Sequence, residues 1–569
     1  MKLPILTYLL LLIATFVTAQ PAGVSNSLRG KVICGYQGWF NCYGDGSPVN
    51  AWRHWSPGSL RTPDKKPAKG SLTFEAWPDV SECPRECLYP TAFAQLGNGK
   101  PSLLFSSVYQ KVTDLHFSWM QHYGIDGIAL QRFLGETKTA VYRQQRDSIA
   151  VHIMKASEKY GRIFYLMYDM SANDTAFFQH DLLHIENDLP VFSSPNYVHE
   201  NGKPVICLWG FGFNHRPDEP QKSLAIIRWL HDKGYYVIGG VPTNWRTGSI
   251  DSYADYESVY KAFDMLSPWS VGRFKTQAEA DTFHQNYLEP DMEWCKAHHK
   301  DYQPVAFPGF AWSNWNGGMP NMITRDKGNF MWRQIANIKA SGSQYLYIAM
   351  FDEYDEGTAI AKMADSYLAI PADQYFLTSS ADGTYVSSDF YLRLVGKAAR
   401  VMKGEIALSD QHGVSLQSSP VWLRTSFESG YDALPLVIDV NGSYSLSKEK
   451  AASGSQSLKI SGPAALKYPL FEVNIPVTST TCLTYQLFPV NKQAQGVFVQ
   501  LITTDGEQLK AKYPGKLKLN NWNTITFNMG KIANGKTIAQ IVITPATTNG
   551  TYTLYLDDLL ITDNGTGSF

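Results

Sequence analysis

The sequence predicts an α/β fold in which a (β/α)8 TIM barrel is followed by a C-terminal, jelly-roll-like β-sandwich. Two observations support this prediction. Between residues 31 and 360, eight short apolar runs alternate with amphipathic stretches. Most of these amphipathic stretches are long enough to form helices. After about residue 423, helical patterns give way to short segments separated by Gly, Asn and Asp. The length of 569 residues is sufficient for both domains.

The eight apolar runs predict parallel strands, because strands of a barrel are covered on both faces. The runs are residues 31–36, 127–131, 163–168, 204–209, 235–241, 263–267, 305–309 and 344–351. Helical patterns at about 112–123, 139–160, 219–233 and 277–299 lie between them. In such a barrel, functional side chains lie on the loops that follow the carboxyl ends of the strands.

The chain divides into four predicted segments. Residues 1–19 resemble a secretory signal, with Lys2, an apolar run over 9–16 and a small-residue cleavage pattern that ends at Ala19. The barrel occupies 20–403, a polar connector 404–422 and the β-sandwich 423–569. The closing strand of the sandwich resembles that of carbohydrate-binding modules. The signal predicts a secreted or periplasmic protein, and no later apolar run is long enough to span a membrane.

Charge and cysteine content narrow the class of protein. Fifty Lys and Arg residues balance 51 Asp and Glu residues, which disfavours a nucleic-acid partner. The seven cysteines lack C-x-x-C metal spacing, so we expect no zinc site and no cofactor. Export permits disulfides, for which Cys83 with Cys87 and Cys34 with Cys42 are the candidates. We expect a monomer.

Aromatic and polar residues recur just beyond the predicted strands. The candidates for substrate contacts are Trp39, Arg132, Asp169, Asn244, Trp245, Arg246, Trp312, Asn314 and Trp315. Gln37, Gly210 and Trp269 occupy similar positions. Aromatic rings stack on the apolar faces of sugars, and polar groups bind sugar hydroxyls. The set therefore predicts a cleft for an oligosaccharide or polysaccharide, although any one tryptophan is as consistent with core packing.

Four acidic residues lie within five positions after the eighth predicted strand: Asp352, Glu353, Asp355 and Glu356. Like charges in one pocket raise the pKa of at least one carboxyl group, which gives the protonated and ionised pair that glycosidic cleavage needs. Glutamate reaches farther than aspartate, so Glu353 and Glu356 are the predicted catalytic pair. Asp352 and Asp355 are predicted to orient neighbours or bind hydroxyls. A solvated acidic loop or a calcium site are the alternatives.

The segment F-D-E-Y-D-E-G-T at 351–358 resembles the F-N-E-W-H-E-G-T motif of glycoside hydrolase family 99, the endo-α-mannosidases and endo-α-mannanases. The segments 124–127 and 307–310 also resemble that family, and the chain is similar to a family 71/99-like relative over about residues 30–400. The resemblance implies a metal-free, retaining hydrolase. It assigns Glu353 as the base that deprotonates the sugar 2-hydroxyl and Glu356 as the general acid and base.

The predicted function is therefore an exported glycoside hydrolase that cleaves an α-linked, mannan-like glycan with retention. The alternative is a noncatalytic glycan-binding protein with a degenerate barrel cleft. The E-x-x-E pair at Glu353 and Glu356 separates the two, because a pure binding protein does not need it.

Overall fold

The computed structural model describes residues 26–170, 174–216, 218–434, 443–465 and 469–565. The predicted signal segment, residues 1–19, lies outside the described residues. Within the described ranges, no helix has the length and apolar character needed to cross a membrane.

The N-terminal domain is built on one parallel sheet. Its strands are β1 (Lys31–Tyr36), β2 (Gly127–Phe133), β3 (Ile163–Asp169), β4 (Lys203–Trp209), β5 (Tyr236–Val241), β6 (Met265–Pro268), β7 (Asp301–Tyr302), β8 (Val305–Ala306) and β9 (Tyr345–Ile348). Consecutive strands pair in parallel from β1 to β7, β8 pairs with β9, and β9 pairs with β1. All residues of β3 and β5 are buried, as near-continuous apolar runs predict.

β7 and β8 are two halves of one segment that borders both ends of this sheet. Beyond the β6–β7 pairing, Gln303 N donates to Leu266 O at 2.9 Å. One residue later, Pro304 O accepts from Tyr347 N of β9 at 3.0 Å. The sheet therefore curls back on itself as a TIM-barrel-like domain, and the two short strands replace the single predicted run at 305–309.

Helices follow or connect the strands of this domain. They are α1 (Gln110–Tyr123), α2 (Leu134–Thr137), α3 (Ala140–Tyr160), α4 (Thr175–Asp188), α5 (Pro220–Asp232), α6 (Glu257–Ala262), α7 (Gln277–Phe283), α8 (Glu289–Ala297), α9 (Ser313–Asn316), α10 (Asn329–Ala340) and α11 (Phe390–Met402). A capping box between Thr276 and Glu279 begins α7, and Gly124, with φ 80°, ends α1 in the left-handed conformation. A π-helical turn over His284–Leu288 joins α7 to α8.

A long insertion between β1 and α1 packs beside the loop that follows β9. It contains the short antiparallel strands Leu88–Pro90 and Leu103–Phe105. The backbone N–H groups of Glu75 and Ala76 both donate to Tyr354 O at 3.0 Å. The insertion therefore holds residues 351–358, the acidic loop, in place.

The C-terminal domain consists of two antiparallel sheets that enclose one apolar core. Its strands are β10 (Val421–Thr425), β11 (Tyr444–Ser447), β12 (Ser457–Pro463), β13 (Phe471–Pro476), β14 (Cys482–Pro489), β15 (Val497–Thr503), β16 (Gln508–Lys512), β17 (Asn523–Asn528), β18 (Thr537–Pro545) and β19 (Thr551–Thr562), with the short helix α12 (Gly530–Ala533). The first sheet contains β10, β11, β12, β14, β17 and β19, and the second contains β13, β15, β16 and β18. The predicted sheet domain is present, and its jelly-roll connectivity stays a prediction.

Hydrogen bonds and an ion pair join the two domains. Tyr367 N donates to the buried Asp432 at 2.6 Å, and Arg424 pairs with Asp365 at 3.1 Å. The sheet domain is thus fixed to the segment that follows the acidic loop. All seven cysteines fall within the described ranges and are free thiols, so neither candidate disulfide is formed.

Candidate active site

A cavity of about 250 Å³ opens at the carboxyl ends of the barrel strands. Its lining residues are Gln37, Trp39, Gln131, Phe133, Asp169, Trp209, Arg216, Trp269, Met350, Glu353 and Glu356. Its size is close to that of the smaller ligand sites, which begin at about 300 Å³. Gln131 of β2 donates to the hydroxyl of Tyr347 on β9 at 3.1 Å, which fixes one wall of the cavity.

The acidic loop directs two of its side chains into the cavity and buries the others. Glu353 and Glu356 are half-buried and line the cavity, whereas Asp352 and Tyr354 are buried. Asp352 accepts hydrogen bonds from the backbone N–H groups of Gln37 at 2.7 Å and Gly38 at 2.9 Å. Asp352 therefore anchors the loop to the end of β1 and is not among the residues that line the cavity. Of its two predicted roles, it has the orienting one and not hydroxyl binding.

A sharp turn completes the loop after Glu356. Gly357 has a φ of 61°, a backbone conformation that glycine adopts without steric cost. The buried guanidinium of Arg325 donates to the carbonyl oxygens of Gly357 and Ala359, each at 2.8 Å. Ala311 N donates to Glu356 O at 2.9 Å. These contacts explain why an E-G-T sequence holds Glu356 at the cavity.

The two glutamates differ in their hydrogen bonds. Gln37 Nε2 donates to Glu353 Oε2 at 3.0 Å, whereas the carboxyl group of Glu356 makes no hydrogen bond within the described part of the chain. Burial raises the pKa of Glu356 to about 7. Burial, followed by repulsion from Glu356, raises the pKa of Glu353 well above its usual range, and the bond from Gln37 opposes that rise. The pair thus retains a proton near neutral pH.

Asp355 lies beside the cavity and binds a histidine from the insertion. His54 Nδ1 is 3.0 Å from Asp355 Oδ2. The imidazole of His54 stacks on Trp39 with 3.8 Å between ring centroids, and Trp39 also stacks on Phe133. Asp355, predicted to orient neighbours or bind hydroxyls, therefore binds His54 through Oδ2, and His54 stacks on Trp39 of the cavity lining.

The loops after β3 and β4 form another wall of the cavity. Asp169 ends β3, and Trp209 ends β4. The guanidinium carbon of Arg216 lies 4.6 Å from the centroid of the Trp209 ring, and Arg216 Nη1 is 3.6 Å from Asp169 Oδ1. Trp269 meets Trp209 edge to face at 5.5 Å. The cavity thus combines aromatic faces with polar groups.

Trp312 and Trp315 lie beside the acidic loop, outside the cavity lining. Trp315 is 42 % exposed, and its indole N–H donates to Asp355 O at 3.2 Å. Trp312 meets Trp315 edge to face at 5.9 Å. Asn314 holds this segment: its backbone N–H donates to the buried Glu75, and its side chain binds backbone oxygens of the insertion and of Tyr375. Asn314 therefore positions the two tryptophans, and its amide is already occupied.

The structure does not bring Arg132 into the cavity. Its buried guanidinium forms two hydrogen bonds to Asp181, at 2.6 and 2.7 Å, and pairs with Asp147 at 2.9 Å. The hydroxyl of Tyr168 also donates to Asp181, at 3.0 Å. The side chain of Arg132 points away from the barrel interior because successive residues of a strand face opposite sides of the sheet, and Gln131 is the one that faces inward.

Asn244, Trp245 and Arg246 also lie outside the cavity lining. Trp245 and Arg246 donate to the two oxygens of the buried Asp291, at 3.0 and 2.9 Å. Asn244 binds Asp251 through its backbone and its side chain, both at 3.0 Å. Trp245 and Arg246 thus hold the loop after β5 against α8, and Asn244 holds it to Asp251. The side chains of all three residues make hydrogen bonds within the protein.

Six residues at or beside the cavity are absent from the predicted contacts: Gln131, Phe133, Trp209, Arg216, Met350 and His54. Trp209 carried a signal, since it is the last residue of the predicted fourth strand. Gln37 and Trp269 stood among the strand-end residues. Arg216 and His54 lie in irregular loops, and only the folded chain brings them to the cavity. Among the described residues, no His, Cys, Asp and Glu side chains are grouped as a metal site.

Fold and site together define a TIM-barrel-like protein with two glutamates in a tryptophan-lined cavity at the carboxyl ends of its strands. No family model matches the chain, and no curated protein matches it. Among solved structures, it is similar to the GH99 endo-alpha-mannosidase from Bacteroides thetaiotaomicron. The identity is 15 %, the match covers 66 % of this chain and 99 % of that one, and the TM-score is 0.49.

Two further solved structures are similar to parts of the chain. One is a glycoside hydrolase-like protein, at 14 % identity, with 57 % of this chain and 94 % of that chain covered and a TM-score of 0.39. The other is a xylan-binding CBM 22 domain, at 16 % identity, with 26 % and 99 % covered and a TM-score of 0.19.

Proposed function

We propose that this protein is a retaining glycoside hydrolase that acts on an α-linked, mannan-like glycan. Glu353 is the base that deprotonates the sugar 2-hydroxyl, and Glu356 is the general acid and base. The observation that supports this most directly is that both glutamates line one aromatic cavity while a hydrogen-bond donor lies on Glu353 alone.

The hydrogen bond from Gln37 supports this division of roles. A donor on a carboxylate favours its ionised form, which supports Glu353 as the member of the pair that carries the negative charge. Burial raises the pKa of Glu356 to about 7, and burial with repulsion from Glu356 raises the pKa of Glu353 well above its usual range, so the pair shares a proton near neutral pH. An acid with a pKa near the working pH is suited to protonate a sugar leaving group and then to recover the proton.

In the first step, Glu356 gives its proton to the glycosidic oxygen as the bond from that oxygen to the anomeric carbon breaks. Glu353 takes the proton of the 2-hydroxyl, whose oxygen bonds to the anomeric carbon and closes a three-membered anhydro ring. In the second step, Glu356 takes a proton from water, and the water oxygen attacks the anomeric carbon. The ring opens, and Glu353 returns its proton to the 2-oxygen. Two inversions leave the anomeric configuration unchanged.

We further propose that the protein is an exported, monomeric enzyme whose partner is an oligosaccharide or polysaccharide. We propose a signal over 1–19 with cleavage near Ala19, a catalytic domain over 20–403, a connector over 404–422 and a module resembling carbohydrate-binding domains over 423–569. The contacts of Asp432 and Arg424 with the barrel domain favour a docking role for this module.

The test is release of reducing sugar from a panel of α-linked glycans, α-mannan included, by the wild type and by Glu353→Gln and Glu356→Gln. We expect hydrolysis by the wild type and loss of hydrolysis in both variants. Glu405→Gln is the control, because that carboxylate is exposed and pairs only loosely with Arg400 at 3.6 Å. Glycan binding without release by the wild type supports the noncatalytic alternative, and full activity of Glu356→Gln refutes the assigned roles.

A further inference from the structure

One wall of the cavity lies across the barrel from the catalytic loop. The order of pairing around the sheet is β9, β1, β2, β3 and β4, so β4 is four places from β9. With β7 and β8 counted as one position, the sheet has eight positions, and four places is half of the way around. The wall formed by Trp209 and Arg216 therefore faces Glu353 and Glu356.

Several buried polar atoms at this cavity have no hydrogen-bond partner among the described residues. They are Gln37 Oε1, Trp39 Nε1, Trp209 Nε1 and Arg216 Nη1. Buried polar groups are almost always paired, because losing hydration without compensation is costly. Three of the four atoms are N–H donors, and Trp209 and Arg216 carry two of them side by side. Their common requirement is an oxygen-rich ligand.

Arg216 is also held in place, although its Nη1 makes no hydrogen bond among the described residues. Its guanidinium lies over the face of Trp209, an arrangement that orients an arginine. The separation of 3.6 Å between Arg216 Nη1 and Asp169 Oδ1 is an ion-pair distance but is too long for a hydrogen bond. The guanidinium is therefore positioned to donate to a ligand atom in the cavity that both side chains line.

The charges at the cavity select between two kinds of oxygen-rich ligand. Arg216 is the only basic residue among those that line the cavity, and it faces three acids: Asp169, Glu353 and Glu356. Asp169 balances the charge of Arg216, and an ionised member of the glutamate pair leaves the cavity negative. A sugar carboxylate, sulfate or phosphate in this cavity would be repelled, whereas hydroxyl groups would not.

We infer that Trp209 and Arg216 form a hydroxyl-binding subsite that faces the catalytic pair and restricts the substrate to uncharged sugars. In this arrangement, Arg216 Nη1 and Trp209 Nε1 donate to sugar oxygens, and the Asp169 carboxylate balances the charge of the guanidinium. This inference deepens the proposed function and rests on it, since it names the class of sugar held beside Glu353 and Glu356.

Direct binding measurements test the subsite independently of turnover. The full-length Glu356→Gln variant is titrated with an α-linked mannobiose and with its analogue oxidised to a carboxylate at carbon 6. Tryptophan fluorescence reports binding, because Trp39, Trp209 and Trp269 line the cavity. We expect saturable binding of the neutral disaccharide and at least tenfold weaker binding of the acidic one.

Arg216→Ala, introduced into the Glu356→Gln variant, should weaken binding of the neutral disaccharide at least tenfold. Arg216→Lys should weaken it less, because an ammonium still donates hydrogen bonds, although it lacks the planar geometry of a guanidinium. Arg273→Ala is the matched control, since Arg273 pairs with Asp251 outside the cavity lining. Thermal melting of each variant confirms folding.

Equal binding by Arg216→Ala, tighter binding of the acidic disaccharide, or no saturable binding of either sugar overturns the inference. Hydrolysis of α-mannan by the wild type separates this result from a failure of the proposed function. If the wild type hydrolyses α-mannan but Arg216→Ala leaves disaccharide binding unchanged, the subsite alone is refuted. If binding depends on Arg216 but the wild type hydrolyses no glycan, the catalytic proposal alone is refuted.

Discussion

Gln37 binds two adjacent residues at the start of the acidic loop: its side-chain amide donates to Glu353 at 3.0 Å, and its backbone N–H donates to Asp352 at 2.7 Å. Arg146 in turn binds Gln37 O at 2.9 Å, which fixes the end of β1 against α3. One residue after β1 thereby fixes the position of the loop and favours the ionised form of its first glutamate against the effects of burial and of Glu356.

Removal of this amide should shift the pH dependence of activity. Gln37→Met deletes the donor to Glu353, and a hydrogen bond to a charged group contributes about 1.5–3 kcal/mol. The pKa of Glu353 should rise by roughly one to two units. Since the base acts only when ionised, the acidic limb of the pH profile of kcat/KM should move to higher pH by that amount. Gln121→Met, on the exposed end of α1, is the control; an unmoved acidic limb contradicts the role of Gln37.

The alkaline limb should report Glu356. Its pKa of about 7 means that the protonated acid is lost as the pH rises through 7, so kcat/KM should fall over that range. Glu356→Gln should abolish this limb and lower kcat/KM on glycans by roughly 10²–10⁴-fold, the usual contribution of a general acid. An aryl glycoside with a nitrophenol leaving group needs no protonation, so kcat/KM for that substrate should change little. An equal loss on both substrates contradicts the acid role.

The sequence predicted the periodic parts of this molecule better than its loops. The strands ending at Asp169 and Trp209 were recognisable because burial on both faces requires continuous apolar runs. The segment 344–351 was predicted as one strand, yet β9 ends at Ile348 and the chain bends into the acidic loop. Apolar composition alone does not distinguish a buried strand from the buried loop that follows it.

The candidate site shows the same division. Glu353, Glu356, Trp39 and Asp169 line the cavity because each follows or ends a strand with its side chain on the inner face. Arg132 occupies a similar position in sequence but faces the helices, and a one-residue uncertainty at a strand end reverses this choice. The partners that decide which way such a side chain points, such as Asp181 for Arg132, are distant in sequence. Local sequence patterns therefore do not reveal them.

Arg132 should behave as a structural residue. Arg132→Met leaves Asp181, which is fully buried, without its cationic partner, and breaking one side of a buried ion pair costs about 3–5 kcal/mol. Urea unfolding should show this loss, while KM of the remaining folded enzyme should be unchanged. Arg400→Met removes an exposed pair and should cost less than about 1 kcal/mol. A large rise in KM with unaltered stability would instead support the sugar contact predicted from the sequence.

The contact between the domains should depend on Asp432. Its carboxylate accepts from Tyr367 N at 2.6 Å and from Ser426 N at 2.7 Å. Asp432→Asn places an amide N–H against one of these donors and leaves a buried group unpaired, at a cost of about 1–3 kcal/mol. Thermal unfolding should occur at a lower temperature, whereas Asp373→Asn at an exposed position should change stability by less than about 0.5 kcal/mol. Equal melting temperatures would contradict a fixed interface.

Trp315 offers an exposed aromatic face next to the acidic loop. Maintaining a tryptophan that is 42 % exposed costs hydration free energy, and here its indole is tied to Asp355 O while Asn314 fixes the helical turn that carries it. The ring lies outside the cavity that would hold the reacting sugar. We expect it to stack on a sugar further along the glycan.

Trp315→Ala should therefore act according to substrate length. For long glycans KM should rise about tenfold, which corresponds to ~1.4 kcal/mol, because one stacking contact is lost. For an aryl glycoside that fills only the cavity, kcat and KM should be unchanged, since Glu353 and Glu356 keep their anchors. Leu183→Ala on α4, another exposed apolar side chain, should affect neither substrate. Loss of activity on both substrates would mean that Trp315 supports the acidic loop through Asp355 and does not extend the binding cleft.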